Sequence, residues 1–128
     1  MSQQEKQELQ VFADRYVAIW HVADADLRRK GIAELWAENG GYANEVSECR
    51  GHAEIEEVVK EAYEEFVAKG YVFTSTKVVS HHNVVRLYWE MTPASGGEVE
   101  STGFDFFLLD NDGRILFDYQ FTDIPPSF

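Results

Sequence analysis

Asp105 and Asp118 flank a turn-forming cluster, Asp110-Asn111-Asp112-Gly113, near the C-terminal end of the chain. If Asn111 and Asp112 are the two turn residues of a hairpin, these acids stand directly opposite one another. Opposed side chains in an antiparallel pair have Cβ atoms about 4.5–5.5 Å apart, so two carboxylates repel unless one keeps its proton. A dyad that shares one proton supplies both an acid and a base. The same parity places Gly103, Phe107, Leu109, Leu116 and Gln120 on the carboxylate face. Phe104, Phe106, Leu108, Ile115, Phe117, Tyr119 and Phe121 fall on the other face, which carries no charge. A three-residue Asn111-Asp112-Gly113 loop with a bulge is the competing reading and sets Asp105 opposite Tyr119. Two arrangements of the faces stay open. Either the apolar face lies under helices and the acids meet water, or the acids face inward and a second copy of the chain covers the apolar face.

Other side chains are candidates by type and place. Tyr16 carries a phenol on the apolar stripe of the first helix, where it is either a core tyrosine or a hydrogen-bond donor to a ligand. Trp89 shares a strand face with Val85, Leu87 and Met91 and is either a pocket wall or dimer packing. Trp36 and Tyr63 read as core residues bordering a cavity. His21, His52, His81 and His82 show no i, i+4 spacing with an acid between them and no cysteine pair, so no metal site is expected. Cys49 has no nucleophile motif around it. Without a glycine-rich phosphate loop or a nucleophile elbow, ATP, NAD and serine-hydrolase chemistry are unsupported, and no cofactor is expected.

The elements that must position these residues follow from periodicity. Leu9, Phe12, Ala13, Tyr16, Ile19, Trp20 and Ala23 recur at three- and four-residue steps and predict a helix from Gln3 to about His21. Asp24 or Asp26 caps a second helix, with Leu27, Ile32, Leu35 and Trp36 inward and Gly40-Gly41 as its stop. A short extended piece, Tyr42 to Asn44, leads to a third helix opened by Gly51-His52. There Ile55, Val58, Val59, Ala62, Tyr63, Phe66 and Val67 face inward, and the glutamates between Glu54 and Glu65 form a solvated face. Beyond Gly70 the period changes to that of strands: Tyr71 to Ser80, Val84 to Thr92, Val99 to Asp110 and Arg114 to Asp123. Helices first and an antiparallel meander second predict an α+β domain with helices on one face of a curved sheet.

The 128 residues read as one domain. With 11 Lys and Arg against 23 Asp and Glu, the net charge of −12 disfavours nucleic acid and anionic membrane surfaces. No apolar run approaches the roughly 20 residues that span a bilayer. A single cysteine and the absence of a charged-then-apolar leader fit a cytoplasmic setting.

Several strings, in this order, resemble the nuclear-transport-factor-2-like superfamily, especially its ketosteroid-isomerase-like and polyketide-cyclase-like (SnoaL-like) members. They are Asp14-Arg15-Tyr16-Val17-Ala18, Ala33-Glu34-Leu35-Trp36-Ala37, Gly51-His52-Ala53-Glu54-Ile55 and Gly103-Phe104-Asp105-Phe106-Phe107, the last followed by Asp112-Gly113-Arg114-Ile115. The resemblance implies a cystatin-like cone: three N-terminal helices packed in the concave face of a strongly curved antiparallel sheet, an open pocket, and a homodimer through the convex face. It also implies that Asp105 faces the pocket. In the isomerases a tyrosine and a protonated aspartic acid hold a dienolate while a second aspartate moves the proton. By resemblance the donors fall at Tyr16 and Asp105, and the proton carrier falls at Asn44, an amide that cannot act as a base. The final-strand aspartate of limonene-epoxide-hydrolase-like members falls at Gln120. Asp118 is then the remaining base, with Asn44 and Gln120 orienting a substrate. The implied activity is cofactor-free isomerisation or polyketide-type cyclisation of a small apolar carbonyl compound. The alternatives are a non-catalytic binder of a hydrophobic metabolite and a dimeric protein–protein adaptor.

Overall fold

Helix α1 (Gln3–Ile19) begins on a capping box: Ser2 Oγ accepts from the Glu5 N–H, and the Glu5 carboxylate accepts from the Ser2 N–H. The computed structural model describes residues 2–128. The α1 stripe buries Ala13, Tyr16 and Ile19. Asp24 caps α2 (Ala25–Leu35) by accepting from the Leu27 N–H at 2.9 Å. This helix stops five residues earlier than its glycines suggest. Trp36 turns extended because its indole N–H then reaches the Gly41 carbonyl at 3.1 Å, and it opens β1 (Trp36–Ala43). Leu27, expected inward, is exposed, and Arg28 takes the inward place.

The chain continues through β2 (Glu48–Arg50), α3 (His52–Glu65), a 3-10 turn (Val67–Lys69), β3 (Tyr71–His81), β4 (Val84–Pro93), β5 (Ser101–Leu109) and β6 (Ile115–Ile124). The sheet has six strands rather than four, in the order β2-β1-β6-β5-β4-β3. It is mixed: β1 runs parallel to β6, and every other neighbouring pair is antiparallel. Extra residues bulge from the ladders at Thr76 in β3 and at Leu116 and Asp123 in β6. Bulges add twist and bend, so the sheet curls around the helices. Its concave face carries Val85, Leu87, Trp89, Met91, Asp105 and Phe107, all buried. Phe12 and Tyr16 of α1 pack edge-on against Phe107, with ring centroids 5.2 and 4.8 Å apart.

The Glu-rich face of α3 is not wholly solvated. Glu56 is buried with Arg28, 3.7 Å away, and Arg29 approaches it at 3.8 Å. Arg28 also donates to the Val22 and Ala23 carbonyls, which ties the α1–α2 corner to α3.

Candidate functional site

The hairpin register differs from both sequence expectations. Asp105 pairs with Gln120, and Asp118 pairs with Phe107. Two local features cause the shift. The Asp110 carboxylate accepts from the N–H groups of Asp112 and Arg114, each at 2.9 Å, which organises a longer loop. The Leu116 bulge then turns Ile115 into the core and Leu116 outward, exchanging the faces expected for them. Beyond the bulge the parity returns, so both acids lie on the concave face as diagonal neighbours. The phenylalanines at 104 and 121 stack on the convex face.

Tyr16 bridges the two acids. Its hydroxyl lies 2.8 Å from Asp105 Oδ2 and 2.5 Å from Asp118 Oδ2. The Trp89 indole N–H donates to Asp105 Oδ1 at 3.0 Å. A phenol has one proton to donate, so contact with both acids requires a second proton on one of them. Both acids are fully buried. Burial pushes the Asp118 carboxyl well above the usual carboxylate range, and the charge of Asp105 pushes it further, while Asp118 Oδ1 is buried without a partner. Burial also raises Asp105, against the nearby Asp118 carboxyl and the hydrogen bonds from Tyr16 and Trp89, which hold it down. The pair therefore keeps one proton that two independent carboxyls would lose, and the Trp89 N–H, which can only donate, favours the charge on Asp105. Burial and the two acids hold the Tyr16 phenol well above its ordinary value, so it remains a donor.

A cavity of about 460 Å³ opens above this group, between α1, α3 and the concave face. Tyr16, Asp105, Trp89, Asn44 and Gln120 line it, whereas Asp118, Trp36 and Tyr63 do not. Asp118 sits behind Tyr16. Trp36 is core, 5.8 Å from the Tyr16 ring, and Tyr63 lies beneath the Arg28 guanidinium. Asn44 is partly committed: its Oδ1 accepts from the Val46 and Ser47 N–H groups and from Ser47 Oγ, and its Nδ2 donates to the Tyr42 hydroxyl at 3.4 Å, so one Nδ2 hydrogen is what remains for a ligand. Trp89 can lie flat across β5 only because residue 103 is glycine; a Cβ there would stand 2.5 Å from the indole ring.

Sequence reasoning missed Tyr42 and Trp20. Tyr42 lines the cavity, donates to Gln120 Oε1 and is held protonated by burial and by both acids. Its signal was the alternation Gly40-Gly41-Tyr42, in which Gly41 makes room for the Phe117 ring of the parallel neighbour β6. The Trp20 indole N–H is buried without a partner beside the cavity. No signal short of the assembled fold marks it. His21 and His52 are half-buried and bonded to backbone: His21 to Val17 and Phe73, His52 to the Trp36 and Ala37 carbonyls.

The SnoaL-like domain family model matches residues 13–117. Among solved structures, the chain is similar to a candidate isomerase of the SnoaL-like family from Agrobacterium tumefaciens, at 28% identity, TM-score 0.82, covering 91% of this chain and 98% of that one. It is also similar to a candidate polyketide cyclase from Sinorhizobium meliloti, at 16% identity and TM-score 0.68, with 89% and 96% covered. A candidate ketosteroid isomerase from Kribbella flavida aligns at 17% identity and TM-score 0.66, with 95% and 81% covered. The last two share the fold. No curated protein matches the chain.

Proposed function

The chain belongs to the SnoaL-like domain family, and on that premise we propose that it is a cofactor-free enzyme that isomerises or cyclises a small apolar carbonyl compound by proton transfer. The observation that carries this reading is a buried acid, Asp105, facing a cavity of about 460 Å³ and joined through the Tyr16 hydroxyl to a second buried acid, Asp118. Asp105, charged and oriented by the Trp89 N–H, removes a proton from the carbon next to the carbonyl. Once Asp105 is protonated, the Tyr16 hydroxyl no longer needs to donate to it and turns to the developing enolate oxygen. The Asp118 proton supports that oxygen through Tyr16. Asp105 then returns the proton to a different carbon, which completes an isomerisation. Asp118 is a positioning residue in this scheme, because it reaches substrate only through Tyr16. Asn44 and Gln120 orient the substrate, with Tyr42 holding Gln120 in place.

The test is deuterium incorporation into cyclic enones and β-dicarbonyl compounds in heavy water, followed by NMR. The wild type incorporates label next to the carbonyl, and Asp105→Asn loses at least about 100-fold of the rate. Tyr16→Phe loses about 100- to 1,000-fold. Binding of the same compounds without incorporation would favour a non-catalytic binder, the reading supported by amides rather than acids at Asn44 and Gln120. The open cavity argues for either over an adaptor. We further propose that the convex face, where Tyr119 and Phe121 are exposed beside Phe104, pairs with a second copy of the chain.

A further inference from the structure

The cavity lining is one-sided in charge. Among the described residues that form it, three are carboxylates, Asp105, Glu61 and Glu65, and none is Lys, Arg or His. Among the described residues, none of the three carboxylates has a cationic side chain within ion-pair distance. Asp105 is fully buried, and only the Trp89 and Tyr16 donors compensate its charge. A buried charge without a counter-charge is expensive, and the field it casts is strong where water is excluded. Glu61 and Glu65 stand one helical turn apart on the exposed rim of α3.

The wall between rim and floor is aromatic. Phe66 meets Phe73 edge-on at 6.1 Å, and Phe73 meets Trp89 edge-on at 5.9 Å. Tyr16, Trp20 and Tyr42 complete a lining of six aromatic side chains. Aromatic faces attract cations, most strongly where the site is dry. In a chain of net charge −12, the surrounding potential also draws cations in and turns anions away.

We propose that the cavity takes a cationic ligand, an amine or quaternary ammonium on an apolar body, with its charged end among the rings near Glu61 and Glu65. This rests on the reading of the cavity as a ligand site and narrows the substrate class. The apolar end, with any carbonyl it carries, lies toward Asp105, and the ammonium supplies the counter-charge that the rim glutamates lack.

The test uses three probes of similar size: benzyltrimethylammonium, its neutral carbon isostere neopentylbenzene, and the anion phenylacetate. Each is titrated into the full chain at low ionic strength and followed by tryptophan fluorescence, since Trp20 and Trp89 line the cavity. The cation is expected to bind about tenfold tighter than the isostere, and phenylacetate weakest. The rim variant Glu61→Gln/Glu65→Gln, on exposed helix positions that leave the fold intact, cuts that preference about threefold. Equal or tighter binding of the neutral isostere, or tightest binding of phenylacetate, overturns the cation assignment and leaves the ligand site standing. Failure of all three probes to bind overturns both.

Discussion

Tyr16 offers one proton to two acids, and that shortage organises the chemistry of the site. The unfolded chain releases both aspartate protons in the ordinary carboxylate range, whereas the native pair keeps one to higher pH. Across that window the native state binds more protons, so stability is greatest at its acid side and falls as pH rises toward the raised native value. Urea unfolding is expected to show this decline for the wild type as pH rises from the ordinary carboxylate range toward neutrality. Asp118→Asn, which puts a neutral donor in the same place, flattens the decline and raises stability at the alkaline end by on the order of 1 kcal/mol. A wild-type curve that rises over this range would mean that the acids are ionised and paired with something else. The acid pair itself was legible in the sequence, because both residues sit at short range from one turn. The distribution of the proton was not, because it depends on Trp89 and Tyr16, which arrive from β4 and α1.

At the scale of elements, the cavity depends on close backbone approaches and on one buried ion pair. A methyl group at Gly103 would lie 2.2 Å from the Phe121 carbonyl and 2.5 Å from the Trp89 ring. Gly103→Ala is therefore expected to destabilise by about 2–3 kcal/mol and to displace the Trp89 donor, seen as a shifted tryptophan emission. Arg28→Ala leaves Glu56 buried with only the more exposed Arg29 near it and with its Oε2 still unpartnered, and costs about 3 kcal/mol by chemical denaturation. Replacing both residues with apolar ones recovers most of that loss. The stripes of α1 and α3, the Asp24 cap and the β-rich second half were legible because each is set within a few residues. The three bulges and the parallel β1–β6 pair were not, because they are settled by partners far along the chain. Glu56 lies between: it is three residues before Val59 and seven before Tyr63, so the helical period places it at the edge of the apolar stripe. Only the arrival of Arg28 from α2 lets it stay there.

The whole molecule separates two surfaces by the alternation of its strands: a hollow with buried acids, and a convex sheet face of stacked rings. On the convex face Phe104 and Phe121 stack at 4.8 Å, and Arg86 lies over Phe104. If two copies meet there, sedimentation should show a dimer that tightens with added salt, since each carries a net charge of −12. Phe121→Glu should then give a monomer with the cavity unchanged. Neither result depends on the acids, and neither replaces the test of them. The most direct measurement is carboxyl carbon NMR of Asp105 and Asp118 through a pH titration. One of the two signals should remain that of a neutral acid at neutral pH while the other is ionised, and Tyr16→Phe should move both. Two aspartates that each titrate in the ordinary carboxylate range, independently of one another and of Tyr16, would contradict the account.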